Sequence, residues 1–294
     1  NTTATGVELW VIDVATASAK KITEANLNAN LGNPFNWMKD NETLLVKMLP
    51  KNRPALIDSK KDLPKGPTVS TGDGKVSQNR TYQDLLKNPT DEANFDALVT
   101  SELYKVSLSG KIELFKPAAI YAGESFSPDG NYLMITTIHK PYSYIVPLSR
   151  FPQKSIVYDS NGKAVKVANE VPLTEIMPKG FMAVQKGKRS LMWRNDKPAT
   201  LAFVQALDEG DPANKVAFRD EMFSWDAPFS ATPISILKTQ QRYGGIVWGN
   251  ETTAIAYDSW YDTRNQKTYL YNPSNPSQAP KIISDRNSQD IYSD

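Results

Sequence analysis

The chain has 294 residues, a formal net charge of +2, a hydrophobic fraction of 40% and a charged fraction of 22%. These ordinary values predict a globular protein and exclude the strongly basic surface that nucleic-acid binding requires. The absence of cysteine excludes disulfide bonds, cysteine–zinc sites and cysteine nucleophiles. No apolar run approaches the roughly 18 residues that a membrane-spanning helix needs.

Two kinds of β-hairpin alternate along the sequence. The first kind is an apolar or aromatic stub, a turn of Asp, Asn, Gly or Pro, and an apolar strand, as in "SFSPDGNYLMITTI". It occurs at residues 35–49, 125–138, 190–206 and 245–259. The second kind is a strand, a polar turn and another strand, and it occurs at residues 8–23, 102–115, 155–167 and 268–283. The alternation indicates a repeating unit of four antiparallel strands.

We name the strands of this unit A, B, C and D, because a sheet of four such strands is one blade of a β-propeller. The predicted fold class is therefore all-β, a partial β-propeller of about four full four-stranded blades plus a half blade. The half blade is about 1–23, and the full blades are about 27–116, 119–170, 176–238 and 241–284. A β-sandwich also has many short strands and is the alternative, but it does not require the two hairpin types to alternate. Because these blades do not complete a seven- or eight-bladed ring, we expect residues 1–294 to be a fragment of a longer protein.

The connections between strands differ between the two faces of the predicted blades. The A–B and C–D turns emerge on one face, and the B–C and D–A connections emerge on the other, which we call the loop face. The A–B turns are short, whereas the B–C connections are predicted to be long in every full blade. The first covers roughly residues 50–100, and the fourth carries residues 259–266. Elaborated loops often carry binding residues, so we expect function on the loop face.

The first B–C connection is predicted to contain a helical insertion at about 80–100. Two short helices are expected there, one over 81–89 that ends at Pro89, and one over 90–101 that is capped by Thr90. The apolar stripe of the second helix is expected to pack on the propeller rim or on a neighbouring domain. This stripe consists of Phe95, Leu98 and Val99.

Cationic and aromatic side chains are frequent in the predicted B–C connections. Arg captures carboxylates with two parallel hydrogen bonds, so this face is suited to peptides or acidic ligands. The substrate-binding candidates are His139, Lys140, Tyr142, Arg150, Tyr261 and Arg264, and the same set includes Arg53, Arg80, Tyr144 and Trp260. For each of these residues, solvated surface or rim packing is the alternative interpretation.

The sequence offers no catalytic residues. The nearest approach to the nucleophile elbow G-x-S-x-G is "GESFS" at 123–127, which lacks the second Gly. His139 is the only histidine and no candidate serine accompanies it, so no Ser-His-Asp triad is expected. His139 either hydrogen-bonds locally or contacts a ligand. No metal is predicted, because one His and no Cys leave only carboxylates as ligands and "DEGD" at 208–211 does not match a calcium-binding loop. No cofactor is predicted either, because no phosphate-binding Gly motif follows a strand into a helix.

Several long segments, in order along the chain, resemble the propeller of glutamyl endopeptidases, a branch of the prolyl oligopeptidase family of serine peptidases. They include "RTYQDLLKNPTDEANFD" (80–96), "IHKPYSYIVPLSRFPQK" (138–154) and "RYGGIVWGNETTAIAYDSWYDTRNQKTY" (242–269). "WRNDKPATLAFVQALDEGDP" (193–212) and "SDRNSQDIYSD" (284–294) resemble the same branch. The resemblance runs nearly from end to end.

The resemblance implies an N-terminal propeller that restricts substrate entry to a following α/β-hydrolase domain with a Ser-His-Asp triad. It also implies cleavage of peptides after acidic residues. The chain stops at Asp294 before any hydrolase domain, so no catalytic residue is carried over and the isolated chain is expected to be inactive. The family also implies a periplasmic or secreted protein, with a plastid location as the alternative for a plant homologue.

Two functions are therefore open. The chain is either the substrate-gating and binding propeller of a serine peptidase, or a stand-alone, non-catalytic propeller that binds or scaffolds partners. The expected partners under the first reading are a peptide substrate and the protein's own hydrolase domain. Unpaired sheet edges would also allow a homodimer.

Overall fold

The computed structural model describes residues 1–58 and 82–291 of the chain. Within this part there are seventeen β-strands, one α-helix and one short 3-10 helix, so the predicted all-β class is confirmed. The described residues divide into two compact units. Unit 1 comprises residues 1–58, 82–126 and 130–175, and unit 2 comprises residues 127–129 and 176–291.

Unit 1 contains a two-stranded hairpin and a seven-stranded antiparallel sheet in which neighbouring strands follow chain order. The hairpin consists of β1 (Trp10–Asp13) and β2 (Ser18–Lys21). The sheet consists of β3 (Phe35–Trp37), β4 (Thr43–Met48), β5 (Thr100–Ser107), β6 (Ile112–Phe126), β7 (Tyr132–Ile138), β8 (Gln153–Asp159) and β9 (Ala164–Val171). It therefore holds the strands predicted for two blades.

Strand β6 joins these two blades. Its first part, from Ile112 to Ile120, pairs with β5, and its second part, from Ile120 to Phe126, pairs with β7. The pairing register with β5 shifts beside Pro117, which lies inside β6. A proline lacks the N–H of a ladder bond and is tolerated at such irregularities. Strand D of one predicted blade and strand A of the next are thus one continuous 15-residue strand.

Unit 2 contains two four-stranded antiparallel sheets, each with its strands in chain order. The first consists of β10 (Arg189–Trp193), β11 (Thr200–Ala206), β12 (Asp220–Asp226) and β13 (Ile234–Thr239). The second consists of β14 (Arg242–Asn250), β15 (Thr253–Trp260), β16 (Asn265–Tyr271) and β17 (Lys281–Asn287). This is the strand order of a propeller blade, whereas a sandwich exchanges strands between its sheets. The predicted propeller class is confirmed at the level of its sheets, and the sandwich alternative is wrong.

The core of unit 2 lies between its two sheets. Val204 and Met222 of the first sheet pack against Ala256 and Tyr269 of the second, and all four side chains are buried. The small alanine side chains let the strands of one sheet approach the large side chains of the other closely.

Strand β4 is buried on both faces and shows how unit 1 is packed. Leu44 and Val46 point into a cluster that includes the β1–β2 hairpin region, while Leu45 points into a second cluster with β5 and β7. Lys47 lies on the same face as Leu45, because side chains alternate along a strand. It forms a 2.9 Å ion pair with Glu124 of β6, and both side chains are 3% exposed.

The helical insertion contains one helix in the described residues, α1 (Pro89–Val99). The prediction of a helix over 81–89 is wrong for residues 82–88, which are irregular, and residue 81 lies outside the described part. Pro89 opens α1 instead of ending a helix, since proline fits the first helical position. The cap is Asn88, whose Oδ1 accepts a 2.9 Å hydrogen bond from the N–H of Asp91, and not Thr90. The chain has no helix in its described part that meets the length and hydropathy of a membrane span.

The predicted apolar stripe of α1 does pack on its own unit. Val99 is buried and Phe95 and Leu98 are partly buried in a cluster with Ile138 of β7 and Phe151. The helix therefore lies against the second predicted blade of unit 1.

The prediction of long B–C connections holds for three blades and is wrong for the fourth. The long ones are residues 49–99, 139–152 and 207–219. The connection between β15 and β16 is only Tyr261–Arg264, a tight turn closed by the Arg264 N–H to the Tyr261 carbonyl at 3.2 Å. The register of β15 with β16 continues to the last pair, Trp260 with Asn265, which leaves no room for a longer loop.

Candidate functional site

The loop face of unit 1 is organised by two acidic residues of α1. Glu92 and Asp96 lie one turn apart on the helix and both contact the connection at residues 139–152. Lys140 Nζ lies 2.8 Å from Glu92 Oε1 and 2.9 Å from Asp96 Oδ2. The hydroxyl of Tyr142 donates to Asp96, and that of Tyr144 donates to Glu92 at 3.2 Å. Three predicted residues are thus tied to the insertion helix.

These contacts shift the pKa values of Lys140 and Tyr142. The hydrogen bonds to Glu92 and Asp96 raise the pKa of the Lys140 ammonium above its ordinary value. Burial, followed by the hydrogen bond and charge of Asp96, raises the pKa of Tyr142 far above its ordinary range. Lys140 is a cation whose charge is already balanced by two carboxylates of its own chain.

Tyr142 is also a packing residue. Its ring stacks on Phe151 at a centroid distance of 5.1 Å and meets Phe95 edge-on at 5.2 Å. Aromatic pairs in these geometries stabilise a fold beyond the area that they bury. The structural interpretation of Tyr142 is therefore favoured over direct substrate contact.

His139 lines a groove of about 370 Å³ on the same unit. Its Nε2 lies 2.8 Å from the Thr137 hydroxyl, and its backbone N–H donates to the Pro152 carbonyl. The charged groups beside it are Lys140 and the pair Lys154–Glu170, whose charged atoms are 3.3 Å apart. Both predicted roles of His139 remain open, because it has a local hydrogen bond and also borders a cavity.

The other arginines predicted in unit 1 contact their own chain. Arg150 ends the 3-10 helix Leu148–Arg150, and its guanidinium carbon lies 5.2 Å from the centre of the Tyr82 ring. Arg53 Nε donates a 2.7 Å hydrogen bond to the Ala97 carbonyl in the last turn of α1. A cation at this end of a helix also interacts favourably with the helix dipole. Arg80 lies outside the described residues.

The tight turn of unit 2 brings two predicted residues together. The guanidinium carbon of Arg264 lies 3.8 Å from the centre of the Tyr261 ring. The same ring contacts Phe181, at a centroid distance of 4.3 Å and an interplanar angle of 31°. Phe181 lies in the D–A connection before β10, so both segments reach the loop face of unit 2. Phe181 was not among the residues predicted from the sequence.

Trp260 has a structural partner in the same unit. The guanidinium carbon of Arg219 lies 4.3 Å from the Trp260 ring centre, while Arg219 also donates to Asp208 at 2.9 Å. Trp260 is therefore part of a cation–π contact that joins the third B–C connection to the end of β15.

Unit 2 also contains a buried ion network at its loop face, which was not predicted from the sequence. Arg242 makes two parallel hydrogen bonds to Asp208, at 3.0 and 2.7 Å, and a further 3.0 Å bond to Asp220. Arg189 pairs with Asp220, and Arg219 pairs with Asp208. The two carboxylates are at most 1% exposed, so this network lies in the interior.

One feature of the sequence could have indicated this network. Arg189 and Arg242 are the first residues of β10 and β14, which are the A strands of the two sheets of unit 2. Equivalent positions in successive blades therefore carry the same residue type. Burial by itself would raise the pKa of Asp208, but the hydrogen bonds from Arg242 and Arg219 outweigh it and hold that pKa below its ordinary value.

The structure thus places the candidates in two groups. His139, Lys140, Tyr142 and Arg150 belong to the 139–152 connection of unit 1, and Tyr261 with Arg264 belongs to unit 2. In residues 1–58 and 82–291 no three His, Asp or Glu side chains are grouped so as to hold a metal ion.

The sheets and their strand order define a β-propeller-type protein with its charged and aromatic side chains on the B–C connections. No protein-family model matches the chain. Over 98% of its length the chain is 40% identical to "Probable glutamyl endopeptidase, chloroplastic" of Oryza sativa subsp. japonica. It is 39% identical over 97% of its length to a protein of the same name from Arabidopsis thaliana.

The resemblance to glutamyl endopeptidases is therefore confirmed. The chain spans 31% of the length of the rice relative and 30% of the Arabidopsis relative. It corresponds to a part of these longer proteins.

Two solved structures are similar at much lower identity. "Pyrococcus horikoshii acylaminoacyl peptidase" has a TM-score of 0.48 and 10% identity, with 94% of this chain and 34% of that chain covered. "Oligogalacturonate lyase in complex with manganese" has a TM-score of 0.49 and 12% identity, with 94% and 58% covered. At this distance, the fold assignment rests on the strand order itself.

Proposed function

We propose that the chain is the substrate-gating and binding propeller of a serine peptidase that resembles glutamyl endopeptidases. The observation that carries this proposal is the 40% identity to a named glutamyl endopeptidase over 98% of the chain. Under the proposal, the part of the relatives' length that the chain does not span supplies an α/β-hydrolase domain with the catalytic triad. The chain then contributes peptide binding and controlled access.

The contacts on the loop faces support a binding role in which some residues hold the connections in place and others contact the peptide. Lys140, Tyr142 and Arg150 make contacts within unit 1 that hold the connections in place. His139 borders an open groove, and Arg264 forms a cation–π contact with Tyr261 at a turn. We assign direct peptide contact to the second group and positioning to the first.

The location and the partners follow from the same proposal. The plant relatives are named chloroplastic, and a relative in an organism without plastids would be periplasmic or secreted. The partners are a peptide substrate, the protein's own hydrolase domain and, through unpaired sheet edges, a second copy of the chain.

The test compares the 294-residue chain with the full-length protein from which it comes. The expected result is hydrolysis of Glu-containing peptides by the full-length protein and none by the chain alone. A full-length protein without a G-x-S-x-G elbow, or with an elbow and no peptidase activity, would favour the stand-alone binding propeller. Hydrolysis by the chain itself would contradict the absence of catalytic residues in it.

A further inference from the structure

A groove of about 400 Å³ runs along the free edge of the first sheet of unit 2. One wall is β13, of which four successive residues, 235–238, line the groove. The opposite wall is the connection between β16 and β17, at residues 276–280, together with Ile282 of β17. Phe218 also lines the groove and belongs to the third B–C connection. The groove therefore reaches from a C–D turn to the loop face of unit 2.

The lining of the groove is mostly apolar. Tyr269, Tyr271 and Ile236 contribute to it from the buried core between the two sheets. Of the described residues that line the groove, Lys238 is the only charged one, and its Nζ lies 3.5 Å from Glu221 Oε1. Because this charge already has a partner, the groove suits an occupant whose contacting side chains are apolar and uncharged.

The wall formed by β13 also presents backbone groups. Among the described residues, β13 pairs only with β12. The Thr239 carbonyl accepts a 2.9 Å hydrogen bond from the N–H of Arg219, so the backbone of Thr239 faces β12. Since successive residues of an antiparallel strand direct their N–H and C=O groups to opposite sides, those of Lys238 face away from β12. Lys238 thus offers a backbone donor and acceptor on the side of the groove.

A β-bulge shapes the same wall. The register of β12 with β13 shifts between Met222 and Phe223, so that Ile236 is an extra residue of β13. Ile236 and Leu237 are consequently both buried, although side chains alternate in a regular strand. Bulges are frequent beside binding sites, where they redirect side chains. A strand that adds to β13 would therefore pair beyond the bulge, at Lys238.

We propose that this groove binds an extended peptide segment with alternating apolar side chains, which adds to β13 as a further strand. Main-chain hydrogen bonds to Lys238 hold the segment, and its apolar side chains lie against Tyr271 and Ile282. A compact apolar ligand would leave the backbone groups of the wall unused. The inference rests on the proposed function in one respect. Because the groove opens onto the loop face, we assign the segment to a peptide substrate, at a distance from the bond that is cleaved.

The test measures binding of short peptides to the 294-residue chain and needs no catalysis. The probe is a blocked, uncharged heptapeptide in which Ser and Val alternate, since seven extended residues span about 23 Å and cover the wall. Two further peptides carry N-methyl groups on the Val or on the Ser residues, so each lacks the N–H donors of one edge only. Methylation of one edge should lower the affinity at least tenfold, and methylation of the other should not.

Two readouts locate the bound peptide. The amide signal of Lys238 in NMR should shift on titration with the Ser–Val peptide, and its hydrogen exchange should slow. A heptapeptide of Ser alone has the same backbone without apolar side chains, and it should bind at least tenfold more weakly.

Variants separate the backbone of Lys238 from its side chain. Lys238→Pro removes the N–H that faces the groove, and proline is tolerated where an edge strand turns its N–H outward. It should abolish binding, whereas Lys238→Ala should bind like the wild type. Ile282→Ser should weaken binding severalfold. Ile283→Ser is the matched control, since Ile283 is similarly exposed, at 49% against 44%, and is not among the residues that line the groove.

Equal affinity of the two N-methylated peptides, absence of a shift at Lys238, or equal effects of Ile282→Ser and Ile283→Ser would each overturn the inference. These outcomes do not depend on whether Lys238→Pro folds. A dimer of the chain that Lys238→Pro dissociates, without peptide binding, would show that a second copy occupies the groove and would also overturn it.

Failure of the proposed function looks different. A full-length protein that cleaves no peptide, while the chain still binds the Ser–Val probe at Lys238, removes the peptidase proposal and leaves the groove. In an active full-length protein, a Ser–Val tail added to a cleaved peptide should lower KM severalfold, and Lys238→Pro should remove this gain. An unchanged KM would overturn the assignment of the groove to the substrate.

Discussion

Two ion pairs of the chain have the same distance between their charged atoms but differ in their exposure to solvent. Lys47–Glu124 and Lys111–Glu113 both have 2.9 Å between the charged atoms. The first pair is 3% exposed on both sides, whereas the second is 75% and 61% exposed. Lys47 also donates to the carbonyls of Leu31 and Tyr121, so its three N–H groups are used. Burial, which outweighs the neighbouring Lys47, raises the pKa of Glu124.

We predict that removing one partner of the buried pair lowers the free energy of unfolding strongly. Replacing both partners with apolar residues should not. Lys47→Met or Glu124→Leu alone should lower the free energy of unfolding by about 3–5 kcal/mol, because each leaves a buried charge without its partner. The double variant should lie close to the wild type or above it. Urea unfolding of the wild type, the two single variants and the double variant completes the double-mutant cycle.

Lys111→Met with Glu113→Leu is the exposed control, in which solvent screens the pair and its loss should leave stability nearly unchanged. Single variants of the buried pair that cost no more than the exposed ones would show that Lys47–Glu124 is hydrated in solution.

The buried network of unit 2 makes stability depend on pH through Asp208. The pKa of Asp208 is lower in the folded state than its ordinary value, so its ionised form favours folding. That contribution is fully present above the unfolded pKa of about 3.9 and is lost as the pH falls through the folded value. Asp208→Asn should therefore lower stability at pH 7 by about 3–5 kcal/mol and reduce the loss of stability on acidification.

The measurement is the free energy of unfolding in urea at a series of pH values from neutral downward. Glu209→Gln is the control, since the neighbouring Glu209 pairs with Lys186 at the surface and both side chains are more than 70% exposed. The stability of this variant at pH 7 should stay close to that of the wild type, because solvent screens the exposed pair. An Asp208→Asn profile parallel to that of the wild type would contradict the assigned role of Asp208.

At the scale of single elements, the hairpins were predictable because their turns are encoded locally. Asp40 shows this well, since its Oδ1 accepts hydrogen bonds from the N–H groups of Glu42 and Thr43, two and three residues on. Asn250 does the same with the N–H of Thr252. Such contacts need only neighbouring residues, so the sequence pattern suffices to find them.

The ion network and the partners of the candidate residues could not be found in this way. Arg189, Asp208, Asp220 and Arg242 are spread over more than fifty residues, and each alone is typical of solvated surface. Lys140 was predicted as a substrate-binding candidate, with solvated surface or rim packing as the alternative, but its partners Glu92 and Asp96 lie in an insertion that belongs to the preceding blade. Pro89 was misjudged because proline both ends one helix and opens another.

The turn between β6 and β7 provides a prediction at the same scale. Gly130 has a φ of 68°, and a Cβ added there would lie 2.5 Å from Cβ of Lys39. Gly130→Ala should therefore lower stability by about 2 kcal/mol, through backbone strain together with a steric clash.

Gly110→Ala separates the two causes. Gly110 has a φ of 97° and no atom within 4 Å of the added Cβ, so it should show the strain alone, at about 1 kcal/mol. Thermal unfolding of both variants measures the difference. Equal effects at the two positions would mean that Lys39 moves aside without cost.

At the scale of the whole molecule, the proposed homodimer depends on the edges of the sheets. In the described part of the chain, β17 pairs only with β16, and it exposes Ile282 and Ile283 at 44% and 49%. An apolar edge strand with unpaired N–H and C=O groups is a template for pairing with another chain. The proposed homodimer would use such an edge.

We predict that Ile283→Lys weakens self-association at least tenfold, because a charge on the edge must be desolvated on pairing. Sedimentation velocity over a range of protein concentrations provides the measurement. Val14→Lys is the control, since Val14 is 91% exposed and lies in the β1–β2 turn instead of in an edge strand. A wild-type chain that stays monomeric throughout this range would remove the homodimer.

The 15-residue strand β6 belongs to two blades, because one part of it pairs with β5 and the other with β7. Since side chains alternate between faces, deleting one residue near Ile120 would turn one half of β6 over relative to the other. Either the ladder with β5 or the ladder with β7 would then present its apolar side chains to water. Insertions and deletions in related chains should accordingly fall in the connections and spare residues 112–126. The length of this one strand thus sets the pairing register of both neighbouring blades.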